Sequence, residues 1–127
     1  MPAMLSILKR RAEFLAAASS GRKCATKGLV LQARAHESGQ ESGGLRYGLT
    51  ASKRVGNAVM RNRAKRRLRA LAREVLPAMA GESCDYVLIA RPETVSRDFA
   101  ALRGDLLYAL RRLNAAKAAS PKASSKE

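Results

Sequence analysis

A dense run of basic side chains occupies the middle of the chain, from Ser52 to Arg73. The run reads SKRVGNAVMRNRAKRRLRALAR, and it contains nine basic residues and no acid. Guanidinium and ammonium groups bind phosphate oxygens through charge-assisted hydrogen bonds, and like charges repel each other along a helix unless an anion neutralises them. The chemistry that this run predicts is therefore the binding of a polyanion.

The basic run has the pattern of one long helix. Asn57 is a good N-cap residue, no helix breaker lies between Ala58 and Leu76, and Pro77 is expected to end the helix. Helical spacing places one narrow apolar stripe toward a core, formed by Met60, Ala64, Leu68, Leu71 and Val75. The remaining surface is basic, with Arg61, Lys65, Arg69 and Arg73 on one flank and Arg63, Arg66 and Arg67 behind. A merely solvated charged face would alternate acids with bases at i, i+4, and this run does not.

The order of residues within the run is more specific than its charge. The segment Lys53-Arg54-x-Gly56-Asn57-Ala58-Val59-x-Arg61-Asn62-Arg63-x-Lys65-Arg66-x-x-Arg69 resembles the basic helix of the bacterial ribonuclease P protein subunit. The resemblance includes uncharged positions that general basicity does not require. It implies that this helix binds the catalytic RNA of ribonuclease P, through Lys53, Arg54, Asn57, Arg61, Asn62, Arg63, Lys65, Arg66 and Arg69.

The amino-terminal segment extends this resemblance. Leu8 to Ala18 has helix-forming composition, and Leu8, Lys9, Phe14 and Gly21 fit the family pattern. The resemblance implies a cleft for the single-stranded 5′ leader of precursor tRNA, lined here by Arg11, Phe14, Gln32 and Arg34. Family members often carry a further aromatic one turn after Phe14 and another at the position of Gln32. This chain has neither, so we expect less stacking than usual.

The composition limits the compartment and the partners. A chain of 127 residues with a net charge of +15 and a pI near 11.1 fits one domain that binds a polyanion. No apolar stretch suits a membrane span or a signal peptide, so we expect a cytoplasmic protein without membrane contact. Cys24 and Cys84 are expected to be reduced thiols. No obligate protein partner is indicated.

The other segments predict an α+β fold. Lys27 to His36 and Leu45 to Ser52 alternate as half-buried strands, joined by a mobile Gly-rich hairpin over 37–44, and Tyr86 to Ala90 is a buried central strand. A last helix begins near Ser96, with Asp98 in its first turn and an apolar side from Phe99 to Leu113. We predict a two-layer α/β sandwich with a small, mostly antiparallel sheet and three helices, in which residues 1–113 form a single RNA-binding domain and 114–127 a disordered basic tail. The resemblance implies a left-handed βαβ crossover.

No catalytic group is recognisable in the chain. The ten acids are scattered, and the lone His36 has no acidic partner except Glu37 in the predicted loop. The resemblance implies that the RNA subunit carries the catalytic centre, that Mg²⁺ is bound mainly by that RNA and the substrate, and that the protein assists endonucleolytic removal of the leader. Enzymatic activity then belongs to the ribonucleoprotein. The alternatives are a ribosomal protein or RNA chaperone, a DNA-binding regulator, and a protein that cleaves RNA by itself.

Overall fold

The computed structural model describes residues 5–8, 10–19, 22–35, 45–79 and 84–123. Its helices are α1 (Arg11–Ser19), α2 (Ala58–Met79) and α3 (Phe99–Ala123), and two short 3-10 turns lie at Lys53–Val55 and Pro92–Val95. Its strands are β1 (Leu5–Ile7), β2 (Lys23–Ala25), β3 (Leu29–Ala35), β4 (Leu45–Thr50) and β5 (Cys84–Ala90). The expected α+β class with three helices is confirmed.

The strands form one sheet in the order β1-β4-β5-β3-β2. β5 lies at the centre, as its unbroken apolar sequence predicted, and it pairs in parallel with β4 and antiparallel with β3. The edge pairs are parallel for β1 with β4 and antiparallel for β2 with β3. The sheet is therefore mixed rather than mostly antiparallel, because α2 connects β4 to β5 by a βαβ crossover. The left-handed sense of that crossover stays a prediction.

The two faces of the sheet bury clusters of unequal size. Side chains such as Leu31, Tyr86 and Leu88 point toward α2 and α3, and together with the apolar sides of those helices they form the main core. The alternate residues point the other way, where Leu8, Ala17 and Val87 form a small second cluster beneath α1. The sheet thus carries two helices on one face and the short α1 on the other.

Several predicted boundaries of helices and strands were wrong. α1 begins at Arg11 rather than Leu8, because the Leu8 N–H donates to the Tyr47 carbonyl 2.6 Å away and so prolongs the strand pairing of β1. β1 and β2 were not predicted at all, since three residues are too few to show alternation. β5 extends back to Cys84, and β3 and β4 are shorter than expected.

The ends of the two long helices also differ from prediction. α2 continues past Pro77 to Met79, because a proline in the last turn forfeits only one backbone bond while the adjoining Leu76 is fully buried. α3 starts at Phe99 with Asp98 as its cap, since Asp98 Oδ2 accepts from the Ala100 N–H at 3.1 Å. α3 ends at Ala123 and so enters the segment 114–127 that was predicted as a disordered tail; seven of residues 114–123 are Ala or Lys, which are good helix formers, and Pro121 lies in the last turn.

Some predictions concern positions outside the described residues. These are the hairpin over 37–44 with His36, the family positions Lys9 and Gly21, and the final residues 124–127.

Candidate nucleic-acid interface

The start of α2 is fixed by a short series of local contacts. Ser52 accepts from the Arg54 N–H through its side chain at 3.3 Å, which caps the 3-10 turn. Gly56 then takes a φ of 143°, a conformation that side chains disfavour, and Asn57 Oδ1 accepts from the Met60 N–H at 2.9 Å. The predicted cap at Asn57 is confirmed. Lys53 and Arg54 are exposed immediately before a helix N-terminus, where the unpaired N–H groups attract anions.

One side of α2 is buried and the opposite side is open. Ala64, Leu68 and Leu71 are fully buried, as the apolar stripe predicted. Met60 is the exception, with 42% of its surface exposed, because it lies over the backbone of Gly56 instead of the core. The exposed residues of α2 that were assigned to RNA are Asn62, Arg63 and Arg66.

The flank of α2 is only half exposed. Arg61 Nη1 donates to the Gly56 carbonyl at 2.9 Å, so this arginine also closes the loop before the helix. Lys65 and Arg69 are half-buried beside it. The flank therefore combines contacts within the fold with positive charge available to a ligand.

Arg67 faces the protein rather than a ligand. Its Nη1 donates to the carbonyls of Thr94 at 2.6 Å and Val95 at 3.1 Å, and its Nη2 donates to that of Arg97 at 2.6 Å. Its guanidinium also lies 5.8 Å from the ring centroid of Phe99. The prediction that Arg67 belongs to the open basic surface was wrong, because its carbonyl partners come from a segment about thirty residues later, and helical spacing says nothing about them.

A pocket of about 490 Å³ lies where α1, the end of β4 and α2 meet. Arg11 and Phe14 line it from α1, Lys65 lines it from α2, and Leu49, Thr50 and Ala51 form its floor. The structure thus brings together two residues predicted for the leader cleft and one predicted for the catalytic RNA. The two predicted sites adjoin each other.

The other predicted cleft residues, Gln32 and Arg34, are outside the lining of this pocket. Gln32 is half-buried in β3. Arg34 Nη1 lies 3.5 Å from Oδ2 of Asp85, a fully buried carboxylate on the neighbouring β5. Arg34 therefore has a partner within the fold on the face where RNA contact was predicted.

Asp85 joins the sheet to α1 through a second arginine. Arg46 donates from Nε and Nη2 to the two Asp85 oxygens at 2.8 and 2.9 Å, and from Nη1 to Glu13 Oε2 at 2.8 Å. The hydrogen bonds that Arg46 donates to Asp85 are the largest cause of its raised pKa; burial lowers the pKa by less, and the charges of Asp85 and Glu13 raise it further. Sequence reasoning treated Asp85 only as the residue before a strand, because the register that pairs it with Arg34 and Arg46 is set by the whole sheet.

The described residues offer no site for a metal held by side chains. No group of three or more His, Cys, Asp or Glu side chains stands together in ranges 5–8, 10–19, 22–35, 45–79 and 84–123. This donor set does not fit Mg²⁺, which prefers several carboxylate or phosphate oxygens. Within the same ranges, no helix has the length and apolar character needed to span a bilayer.

The fold and the open basic face of α2 define an α+β nucleic-acid-binding domain with no recognisable catalytic group of its own among the described residues. Residues 4–114 match the family model described as Ribonuclease P. The chain belongs to the ribonuclease P protein family. Membership makes it a subunit of the ribonuclease P ribonucleoprotein, which implies an RNA subunit as its partner and a role in tRNA 5′ processing.

Relatives of high similarity carry the same description. The chain is 53% identical over 114 residues to the ribonuclease P protein component of Ruegeria pomeroyi, covering 89% of this chain and 90% of that protein. It is 49% identical over 116 residues to the corresponding protein of Paramagnetospirillum magneticum, covering 91% and 87%.

Solved structures support the fold. The ribonuclease P protein of Thermotoga maritima superposes with a TM-score of 0.68 at 26% identity, covering 84% of this chain and 96% of that one. The Staphylococcus aureus protein gives 0.66 at 24% identity, covering 84% and 93%.

Proposed function

We propose that this chain docks on the catalytic RNA of ribonuclease P through the open face of α2 and holds the 5′ leader of precursor tRNA in the pocket beside Phe14. The leader is then removed endonucleolytically by the ribonucleoprotein to leave the mature 5′ end of tRNA. The observation that carries the proposal is the continuity of the two sites, since Lys65 of α2 lines the same pocket as Phe14 and Arg11.

The proposed division of labour follows from the chemistry of the side chains. Arginine and lysine on α2 neutralise backbone phosphates and position the RNA, whereas Phe14 offers its half-buried ring to an unpaired base. A single strand fits beside a ring better than a duplex does, because its bases are free to stack. Mg²⁺ and the catalytic centre belong to the RNA in this proposal, and the basic surface lowers the repulsion between two RNA molecules.

Leader cleavage at low magnesium tests the proposal. The wild-type chain is expected to raise the cleavage rate of the cognate catalytic RNA on a precursor tRNA, and Arg63→Ala with Arg66→Ala is expected to abolish most of that increase. Both arginines are exposed, so their removal leaves the fold intact. The matched control is Lys27→Ala with Arg111→Ala, which removes the same charge from exposed positions outside α2 and outside the pocket.

Salt dependence separates docking through phosphates from other modes. If α2 makes six to ten phosphate contacts, affinity for the RNA falls by roughly 10³ to 10⁵ between about 50 and 200 mM salt, by analogy with duplex DNA. The Arg63 and Arg66 double variant is expected to reduce the slope by about two units. A flat salt response, or equal loss in the control, would contradict docking through α2.

A further inference from the structure

A second basic pocket lies at the edge of the sheet farthest from β1. It has a volume of about 460 Å³ and is formed between β2 and α3. Arg22, Lys23 and Cys24 line it from the strand side, and Tyr108 and Arg112 line it from α3. Among the described residues that line it, three are cationic and none is acidic.

Tyr108 lies off the buried side of α3 and contacts a basic neighbour. The tyrosine is 49% exposed, although Leu106, Ala109 and Leu110 of the same helix are fully buried. Arg112 Nη1 donates to the Tyr108 hydroxyl at 3.2 Å, and its guanidinium lies 5.8 Å from the ring centroid. The ring is therefore not used in core packing, and Arg112 contacts both its hydroxyl and its face.

The strand side of the pocket is anchored as well. Arg22 Nη2 donates to the carbonyl of Leu113 in α3 at 2.9 Å, which holds the Arg22 guanidinium beside this helix. Lys23 is exposed next to it. The pocket therefore combines cations that suit a phosphate with an accessible ring that suits a base, and its volume lies in the range of small-ligand sites.

We propose that this pocket binds one unpaired nucleotide of RNA, with the phosphate on Lys23 and Arg112 and the base stacked on Tyr108. The site is separate from the docking face of α2: α2 packs on β4 and β5, which lie three and two strand positions from β2, or about 14 and about 10 Å across the sheet. A contact at this distance on the same RNA molecule adds avidity without any new contact at α2. The assignment of RNA as the partner rests on the proposed function.

Thiol labelling tests the pocket directly, because Cys24 lines it and Cys84 is fully buried. The full-length chain is labelled with iodoacetamide, with and without a saturating single-stranded oligoribonucleotide, and peptide mass spectrometry separates the two cysteines. At saturation, RNA is expected to slow labelling of Cys24 several-fold, because a bound nucleotide covers the pocket that this thiol lines. Cys84 reports unfolding. Unchanged labelling of Cys24 at saturation would overturn the proposal.

Variants separate stacking from charge. Tyr108→Leu keeps apolar bulk but removes the ring, and it is expected to weaken binding of the oligoribonucleotide about five- to a hundredfold without changing the salt slope. Arg112→Ala is expected to lower the slope by about one unit. The neighbouring Arg111→Ala removes an equal charge from an exposed position outside the pocket and is expected to change affinity less. Equal affinities for Tyr108→Leu and the wild type, or equal losses for Arg111→Ala and Arg112→Ala, would reject the site.

The same proteins distinguish this proposal from the docking function. If the wild type stimulates leader cleavage but Cys24 is not protected, the pocket alone is rejected. If Cys24 is protected but cleavage is not stimulated, the pocket stands as an RNA site and the proposed ribonuclease P docking fails.

Discussion

The ring of Phe14 lies against the backbone of Gly48, so closely that a Cβ on Gly48 would stand 2.5 Å from Phe14 Cε1. The same Cβ would stand 3.2 Å from Leu8 Cδ1. A side chain at position 48 is therefore incompatible with the present position of the Phe14 ring over β4. The location of the aromatic ring in the proposed leader pocket depends on the absence of one methyl group in the strand beneath it.

Gly48→Ala is expected to displace the Phe14 ring and to cost about 1–3 kcal/mol of unfolding free energy, the usual range for overpacking. Urea denaturation measures the stability. The loss of leader contact is measured by comparing cleavage of a precursor tRNA that has a long 5′ leader with cleavage of one that has a short leader. Gly104→Ala is the control, because a Cβ there meets nothing within 4 Å, and it is expected to stabilise α3 by about 0.5–1 kcal/mol. If Gly48→Ala matched the wild type in both assays, the close approach of ring and strand would be wrong.

Arg66 and Arg67 are neighbours in sequence with opposite expected effects. Arg67→Met leaves the carbonyls of Thr94, Val95 and Arg97 without their donor, so we expect a loss of about 2 kcal/mol. Arg66→Ala is expected to leave stability within about 0.5 kcal/mol but to weaken RNA binding, because this side chain is exposed. Thermal unfolding and RNA titration of the two variants measure both quantities. A stable Arg67→Met variant would refute the inward role of Arg67.

Arg46→Met is expected to destabilise the fold by about 2–3 kcal/mol, because it leaves the buried Asp85 with a weaker partner. The expected loss of stability is smaller than that for breaking a fully buried ion pair, because 26% of the Arg46 side chain is exposed and Arg34 remains 3.5 Å from Asp85. Arg103→Met is the control, because it removes a more exposed ion pair with Glu74 and is expected to have a small effect.

The pH dependence of the Arg46 variant follows from the raised pKa of Arg46. A raised pKa in the folded state gives stability that is present below the unfolded-state pKa and is lost only as the pH rises through the folded-state value. Both values lie far above neutrality for a guanidinium. The contribution of Arg46 to the difference in unfolding free energy between the wild type and Arg46→Met is therefore expected to be the same at about pH 7 and about pH 9. A difference that vanished by pH 9 would contradict this assignment.

Asn57 has a structural role that is separable from its predicted contact with RNA. Asn57→Ala removes the oxygen that accepts from the Met60 N–H and is expected to lower the free energy of unfolding by about 1 kcal/mol. Asn57→Ser keeps a capping oxygen and is expected to keep most of the stability. Chemical denaturation distinguishes these two variants. If Asn57 also binds RNA, Asn57→Ser is expected to be stable but to bind more weakly, and unchanged affinity would limit Asn57 to the cap.

The sequence predicted α2 well because the required information is local. Its cap, its 3.6-residue apolar period and its lack of acids all lie within the run 52–73, and the burial of Ala64 and Leu68 agrees with that period. The ring position of Phe14 over Gly48 was not predictable in the same way. That contact joins residues 34 positions apart through the pairing of β4 with β5 and the packing of α1, which local patterns do not determine.

The charged residues illustrate the same limit. Arg34 and Arg67 both have sequence positions that favour solvent or a ligand, yet each meets an acceptor from a distant segment. Tyr108 is a different case, since it lies two residues from both Leu106 and Leu110 and helical spacing therefore places its ring away from the core, where it is exposed. Sequence alone identified the basic helix α2, and the fold determined which of its arginines remain available.

Because only a small cluster lies beneath α1, we expect α1 to be less stable against local unfolding than α2 and α3. α2 and α3 share the main core. α1, in contrast, is attached to the sheet by Ala17 and the half-buried Phe14, which pack with Leu8 and Val87, and by the ion pair of Glu13 with Arg46. Its amides should therefore exchange with solvent by a local opening, at a free energy below that of global unfolding. A strand bound in the proposed leader pocket is therefore expected to raise the protection of amides in α1, whereas the amides of α2 are expected to exchange by global unfolding and to change little.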